Sequence, residues 1–463
     1  MTPSPHPVFE ATLATQLSTL RATFASGRTR EPDWRRRQLD AIVAMCRECE
    51  DEIAAALADD LGRSRAEALL GDIVTVRGEA EYARKHLHDW MKRRKQSVPL
   101  VQRPASAWIQ YEPLGTVLII SPWNFPLYTA LGPLVAAIAA GNCAVIKPSE
   151  FAPATSRLLA RLVPVYLDPD AVMVVEGDAD ITQTLLAEGF DHALFTGSTA
   201  VGRHIMAAAA VTLTPVTLEL GGKSPAIVTA DADLDIAARR IVWGRLINSG
   251  QTCVAPDYVL VDATVKTALV DRITTAIGAF RKGSTPGLRI VNQRQFDRLA
   301  GYLAATEGEI VCGGRTDRDN LSIEPTVIVD PSVDEPAMTE EIFGPILPIV
   351  GVDSAEQAIA FVNARPKPLA LYVFAQPKAT SRQIVDAIPA GSAVINHTVL
   401  QLLVPQLPFG GVGASGMGAY HGEWGFQTMS HGKAVLAKPA KPDLSLLYPP
   451  YTDTAMRILR RVL

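Results

Sequence analysis

From about Thr15 to Lys95 apolar residues recur every three or four positions among many charges, a period that predicts helices. After Pro99 the pattern changes to short apolar runs rich in β-branched residues, at 115–121, 143–147, 172–175 and 192–196. Each run is followed by a helical segment, which predicts strands of a parallel sheet joined by βαβ crossovers. A second series begins near Pro225, at 226–229, 258–261, 326–329, 370–374 and 392–395, again with helices between. The chain therefore reads as α/β, with two doubly wound parallel-sheet lobes divided between Leu218 and Lys223. The most apolar window, 131–146, is too short to span a bilayer and contains Gly132, Gly141 and Asn142. It reads as a buried helix, a turn and a strand.

A length of 463 residues exceeds one ordinary core and agrees with two large lobes and a small third element. Hydrophobic residues make up 48% and charged ones 20%, a soluble globular balance. The formal net charge of -4 gives no reason to expect a nucleic-acid partner. Two basic clusters, Arg35-Arg36-Arg37 and Lys92-Arg93-Arg94-Lys95, read as solvated helix faces. Five scattered cysteines fit reduced thiols better than a disulfide framework. Cys46 and Cys49 form a C-x-x-C inside a helical stretch, 41–57, with no second Cys or His pair at zinc spacing, so no metal is expected. The N-terminus has no basic region followed by an apolar core; a cytoplasmic protein with no membrane span is the expectation.

Cys253 is the most informative single residue. It follows the polar turn Asn248-Ser249-Gly250-Gln251-Thr252, a setting that a core thiol does not need and a nucleophile does. A formal G-x-G-x-x-G at Gly411, Gly413 and Gly416 follows Pro408 rather than a strand, so it reads as a Gly-rich loop and a decoy. Phe195-Thr196-Gly197-Ser198-Thr199-Ala200-Val201-Gly202 is a better phosphate candidate, because it leaves a strand and opens a helix whose first N–H groups favour an anion. Lys147-Pro148-Ser149-Glu150 ends an earlier strand with a pair that suits ribose hydroxyls; a surface ion pair is the alternative. In Leu218-Glu219-Leu220-Gly221-Gly222-Lys223, Glu219 reads as a general base, with capping by the glycine N–H groups as the alternative. Ser121-Pro122-Trp123-Asn124-Phe125-Pro126 puts an amide donor at a strand's carboxyl end, where ligands of doubly wound sheets sit; closure of the core by an aromatic loop is the alternative.

Together these segments resemble the aldehyde dehydrogenase superfamily over nearly the whole chain. The motifs, in the family's order, are Pro122-Trp-Asn-Phe-Pro126, Lys147-Pro-Ser-Glu150, Phe195-Thr-Gly-Ser-Thr199, Leu218-Glu-Leu-Gly-Gly-Lys223, Gly250-Gln-Thr-Cys253, Glu340-Glu-Ile-Phe-Gly-Pro345 and Leu407-Pro-Phe-Gly-Gly-Val-Gly413. The short N-terminus, Gly416-Met-Gly-Ala-Tyr-His-Gly422 and Tyr448-Pro-Pro-Tyr451 are similar to the class 3 branch, which includes fatty, aromatic and coniferyl aldehyde enzymes. The resemblance implies a catalytic set of Cys253 (nucleophile), Glu219 (base for the hydrolytic water) and Asn124 (oxyanion hole, with the Cys253 N–H). It implies NAD as cofactor, NADP being possible. Lys147 and Glu150 would hold the adenosine ribose, and Gly197, Ser198 and Gly202 would face the pyrophosphate. Glu341 would bind the nicotinamide ribose, Phe343 would pack near the nicotinamide, and Trp123 would contribute backbone contacts. It further implies an NAD(P)-binding domain of residues 1–98 and 115–217 and a catalytic domain of 218–425. Residues 99–114 and 426–463 would form an oligomerisation element and C-terminal tail, in a homodimer.

The expected reaction oxidises an aldehyde to the free acid through a thiohemiacetal and a thioester on Cys253. The apolar loop 399–404 points to a hydrophobic aldehyde as the small-molecule substrate. His397 stands where the family commonly has Asp, so no role carries over to it. The alternatives are a CoA-acylating semialdehyde dehydrogenase, against which Glu219 speaks, and a non-catalytic binding protein, against which the Cys253, Glu219 and Asn124 set speaks.

Overall fold

The N-terminal helical pattern resolves into α1 (Pro7–Ala25), α2 (Pro32–Glu48), α3 (Glu50–Leu61), α4 (Arg65–Ala68) and α5 (Val74–Trp90), in a computed structural model that describes residues 7–282, 288–443 and 447–462. The helix expected across 41–57 breaks at Cys49, whose N–H closes α2 on the Met45 carbonyl. Both thiols are packed inside, and burial pushes Cys46 up to about 12. Among the described residues no His, Cys, Asp and Glu cluster is fit to hold a metal.

The basic clusters are not solvated helix faces throughout. Arg35 is buried and donates to the carbonyls of Thr29 at 3.1 Å and Ala139 at 3.0 Å. Ala139 lies in the last turn of α6 (Tyr128–Ala140), where a cation complements exposed carbonyls and the helix dipole. Lys92 to Lys95 leave the helix and enter strand β1 (Arg94–Gln96), which pairs with β2 (Ser106–Pro113). There Arg93 lies 5.1 Å from the Trp108 ring and Arg94 lies 4.9 Å from Tyr111, while Lys92, Arg93 and Lys95 remain exposed, so this cluster is solvated but mostly off the helix.

The first lobe is built on β3 (Thr116–Ile120), β4 (Cys143–Lys147), β5 (Val172–Val174), β6 (His192–Thr196) and β7 (Val216–Glu219). Helices α6, α7 (Pro153–Tyr166), α8 (Ala179–Ala187) and α9 (Thr199–Val211) connect or flank them. Every residue of β3 and β4 is buried, as a parallel strand covered on both faces requires. The window 131–146 is the buried helix, turn and strand that the pattern predicts: α6, Gly141 in the left-handed region, then β4.

The second lobe carries β8 (Pro225–Val228), β9 (Tyr258–Asp262), β10 (Glu309–Cys312), β13 (Thr326–Val329), β14 (Ile346–Val352), β15 (Ala370–Phe374) and β16 (Ser392–Ile395), besides a small hairpin of β11 (Thr316–Asp317) and β12 (Ser322–Ile323). Its order is β10-β13-β14-β9-β8-β15-β16, parallel except for β10. Strand β14 is absent from the sequence reading. It contains Pro348 and Gly351, residues that weaken a strand signal, yet the lobe inserts it between β13 and β9. Helices α10 (Leu234–Leu246), α11 (Lys266–Arg281), α12 (Gln293–Ala305), α13 (Pro336–Thr339), α14 (Ala355–Asn363) and α15 (Lys378–Ala387) complete it.

Toward the C-terminus, β17 (Gly416–Met417) pairs antiparallel with β7, and β18 (Ser430–Ala437) joins β1 and β2 in a three-stranded antiparallel sheet. Helix α16 (Gly422–Thr428) precedes this strand in the chain and α17 (Asp453–Val462) follows it. Among the described residues no helix is long and apolar enough to cross a membrane.

Candidate active site

The first-lobe sheet has the order β17-β7-β6-β3-β4-β5. Chain order reverses between β3 and β6, so their carboxyl ends flank a topological switch point, where dinucleotides bind in doubly wound sheets. Lys147 ends β4 and pairs with Glu150 at 3.0 Å; the lysine is almost fully buried, which excludes the plain surface ion pair. After β6, Gly197 donates its N–H to the Glu219 carbonyl at 2.9 Å, and Ser198 caps α9 by accepting from Val201 N–H at 3.4 Å. A Cβ on Gly197 would stand 2.4 Å from the Phe195 ring, and one on Gly202 would stand 2.6 Å from Leu220. A side chain at either position would have to displace the end of the Phe195 or Leu220 side chain, so glycine leaves this turn open.

Buried polar atoms without a partner among the described residues are concentrated here. They include Ser121 Oγ after β3, Thr196 Oγ1 at the end of β6, Asn124 Oδ1, and both carboxylate oxygens of Glu219. A protein interior seldom leaves such groups unpaired, and a bound polar ligand or its water relieves the penalty. This donor and acceptor set, with the Lys147–Glu150 pair and the N-terminal end of α9, fits a nicotinamide dinucleotide.

The thiol stands opposite. Helix α10 ends at Leu246, and Asn248 (φ 51), Ser249 (φ 56) and Gly250 (φ 76) then turn through the left-handed region. Three such residues in succession reverse the chain sharply and are costly for the two that carry a Cβ. Gly250 is irreplaceable, since a Cβ there would stand 2.2 Å from the Gly344 carbonyl oxygen. Gln251 locks the turn, donating to the carbonyls of Asn248 at 3.1 Å and Arg289 at 3.0 Å and accepting from Val291 N–H at 3.0 Å. Cys253 itself stays partly exposed while Gln251, Thr252, Val254 and Ala255 are buried. Burial, then the carboxylates of Glu341 and Glu219, push its thiol up to about 12; the N–H groups of Cys253 and Val254 oppose them.

Asn124 reaches across from the first lobe. Its side-chain amide donates to the Gln251 carbonyl at 3.1 Å, which uses one of its two hydrogens and holds it beside the turn that precedes the thiol. Glu219 closes β7, buried, and burial raises it well above the usual carboxylate range. The glycine capping considered for Glu219 belongs to Glu341 instead. Gly222 N–H is bonded to Glu341, and a Cβ on Gly221 would stand 2.0 Å from a Glu341 oxygen. Burial and then Asp257 push Glu341 up to about 8, against the pull of Gly222 N–H, Lys223 and Arg298.

The Glu341 segment is held by groups without an assigned role in the sequence reading. Arg298 donates to the carbonyls of Glu341 at 3.1 Å and Ile342 at 2.7 Å. Lys223 pairs with Asp257 at 2.5 Å and donates to the Glu340 carbonyl at 2.9 Å. Phe343, at φ 50, meets Trp123 edge to face at 5.3 Å, so those two stand together at the crevice. Gly411 and Gly413 lie in a loop that leads into β17, which Gly416 begins; no helix opens there, which makes the formal fingerprint a decoy. A Cβ on Gly416 would stand 2.2 Å from the Leu218 carbonyl, so this glycine lets the loop approach the strand that carries Glu219. His397 packs its ring on Trp243 at 5.6 Å and accepts from Thr398 N–H at 2.8 Å, as a loop residue.

Fold and crevice together define an α/β enzyme with a thiol beside a dinucleotide-type site. The aldehyde dehydrogenase family model matches residues 11–435. Aldehyde dehydrogenase family 3 member A2 of Rattus norvegicus is 45% identical over 446 residues, covering 95% of this chain and 92% of that protein. Family 3 member H1 of Arabidopsis thaliana is 44% identical over 462 residues, covering 98% and 95%. The substrate-bound state of Staphylococcus aureus AldH superimposes with a TM-score of 0.94 at 39% identity, covering 97% of this chain and 99% of that one. The chain belongs to the aldehyde dehydrogenase family and, with relatives among its family 3 members, is an NAD(P)-dependent aldehyde dehydrogenase.

Proposed function

We propose that the protein oxidises a hydrophobic aldehyde to the free carboxylic acid through a covalent intermediate on Cys253. The observation that carries this reading is Glu219, a buried carboxylate with both oxygens unpartnered, near enough to raise the thiol of Cys253. Cys253 Sγ, giving up its proton to Glu219 through a bridging water, attacks the aldehyde carbon, and the Asn124 amide with the Cys253 N–H receives the oxyanion. One such donor is typically worth about 10²–10³ in rate. Lys147 and Glu150 hold the adenosine ribose of the dinucleotide, while Gly197, Ser198 and Gly202 leave room for its pyrophosphate. Glu341 holds the second ribose, with Phe343 and Trp123 walling the crevice. When bound, the nicotinamide supplies the hydride acceptor. Glu219, whose affinity for a proton is raised by burial, passes its proton on to solvent and, in its ionised form, takes a proton from the water that cleaves the thioester.

Glu150 next to Lys147 suits a free ribose 2′-OH, which supports NAD as the preferred form. The hydrophobic substrate is supported by Leu403, Val404 and Leu407, which remain 60%, 38% and 48% exposed on and beside the apolar loop. A homodimer assembled through the C-terminal segment and a cytoplasmic location complete the reading. The five free cysteines are compatible with that compartment.

A second reading has one observation in its favour. Glu341 precedes Glu219 in its influence on Cys253 and is poised at about 8, close to the pH at which a general base works best. Rapid-quench comparison of Glu219→Gln with Glu341→Gln separates the two. The proposal expects the thioester to accumulate in Glu219→Gln; its accumulation only in Glu341→Gln assigns the base to Glu341.

A further inference from the structure

Arg63 is a cation that the sequence reading passes over and the reaction described above does not use. It occupies a short, rigid link between two helices. Gly62, at φ 70, caps α3 by donating to the Ala58 carbonyl at 2.8 Å. Ser64 opens α4 with a reciprocal capping box to Glu67. The Arg63 side chain is 1% exposed and forms an ion pair with Asp72, which is 0% exposed. Asp72 in turn accepts from Tyr128 N–H at 2.8 Å, at the start of α6.

The remaining donors of the guanidinium go to the catalytic loops. One bonds the Asn124 carbonyl oxygen, and Nε donates to Asn248 Oδ1 at 3.1 Å. Asn248 also donates from Nδ2 to the Asn124 carbonyl at 2.9 Å and to the Gln251 carbonyl at 3.1 Å. The guanidinium lies 4.3 Å from the Phe125 ring centroid, which fixes its plane. One buried side chain thus touches the residue that presents the oxyanion amide, the left-handed turn before the nucleophile, and an anion that keeps its charge compensated.

We propose that Arg63 is a positioning residue for catalysis: by holding the Asn124 carbonyl and the Asn248 side chain together, it sets the aim of the Asn124 amide relative to Cys253. The inference rests on the reading of Asn124 as oxyanion donor. A planar guanidinium has five donors in a fixed fork and serves three acceptors at once, whereas an ammonium is a single point on a flexible stem. Displacement of the amide by as little as about 1 Å lowers a rate by roughly 10²-fold. A purely structural ion pair would instead lower stability and leave the turnover of the folded protein intact.

The test is a double-mutant cycle of Arg63→Lys and Asn124→Ala, read by aldehyde oxidation and by ester hydrolysis without cofactor. The ester assay reports acyl transfer at Cys253 independently of hydride transfer. Arg63→Lys is expected to lower kcat in both assays by roughly 10–100-fold with KM for NAD changed by less than about twofold. In the Asn124→Ala background it should add almost nothing, because the group it aims is gone. Arg63→Met with Asp72→Asn removes both buried charges and gives the same comparison should the lysine variant fail to fold, with thermal unfolding reporting the folded fraction. An undiminished kcat in folded Arg63 variants, or losses that multiply in the double mutant, overturns the proposal. A full-rate Asn124→Ala protein overturns the oxyanion assignment instead.

Discussion

Asn248 donates its side-chain amide to the Asn124 carbonyl oxygen at 2.9 Å, so the turn before the thiol is tied to the loop after β3. The bond spans the two lobes. It also explains the tolerance of a left-handed backbone at φ 51, a region that Asn enters more readily than other residues with a Cβ. Asn248→Ala loses this bond and the one to Gln251 while keeping the awkward backbone. Expected are a kcat roughly tenfold lower and a Tm lower by several degrees, from a loss of about 1–3 kcal/mol. Steady-state kinetics and thermal unfolding check both.

Gly250 supports the same turn by having no side chain. With φ at 76 and the Gly344 carbonyl 2.2 Å from an added Cβ, Gly250→Ala must push the Glu340 to Pro345 loop or the thiol turn aside. The expected outcome is a soluble protein with activity lower by at least about 10²-fold, since misplacement near 1 Å suffices for that loss. Alkylation of Cys253 by iodoacetamide, timed with and without cofactor, shows whether the thiol is still presented.

Glu341 carries a pH signature. Its carboxyl is raised to about 8 in the cofactor-free protein, while an unfolded glutamate titrates near about 4.3. Between those values the native state keeps a proton that the unfolded state has released, so this group's contribution to stability falls as pH rises through the window. Glu341→Gln removes the dependence. Its Tm advantage over the parent protein should grow from pH 4 to pH 9 in thermal unfolding series without cofactor; an advantage that shrinks with pH contradicts the shift.

The apolar rim makes a prediction about substrate choice. Leu403→Ser with Leu407→Ser withdraws two half-exposed apolar side chains, and a buried methylene is worth about 0.8 kcal/mol. The kcat/KM for long aliphatic aldehydes should fall about 5–30-fold, with short polar aldehydes nearly unchanged. Initial rates across a chain-length series check this, and a uniform change across the series would remove the rim from the binding site.

How much was legible in the sequence follows physical type. Strands buried on both faces, such as Thr116–Ile120, announced themselves because covering both faces demands an unbroken apolar run. Ile346–Val352 did not, because Pro348 and Gly351 mask the signal. Cys253, Glu219 and Asn124 could be singled out as candidates since each stands in a turn or a strand end that local folding alone does not call for. Arg63 was not: it lies within the continuous helical pattern of the N-terminal segment, and its partners lie 61 and 185 positions away. Separation in sequence also hid Arg35, whose buried role depends on the end of α6, 104 positions on. The owner of the glycine N–H groups also needed the fold, because Glu341 reaches Gly222 only once the second lobe has formed.

The central claim is that Cys253 carries an acyl group that Glu219 helps to release. The direct measurement mixes Glu219→Gln with NAD and an aldehyde, follows NADH, quenches, and locates the added mass by peptide mass spectrometry. The account predicts a burst of about one NADH per active site, an acyl adduct on the Cys253 peptide, and acid release slowed by about 10²–10⁴-fold. Acid formation at the parent rate, or an adduct absent from Cys253, would contradict it.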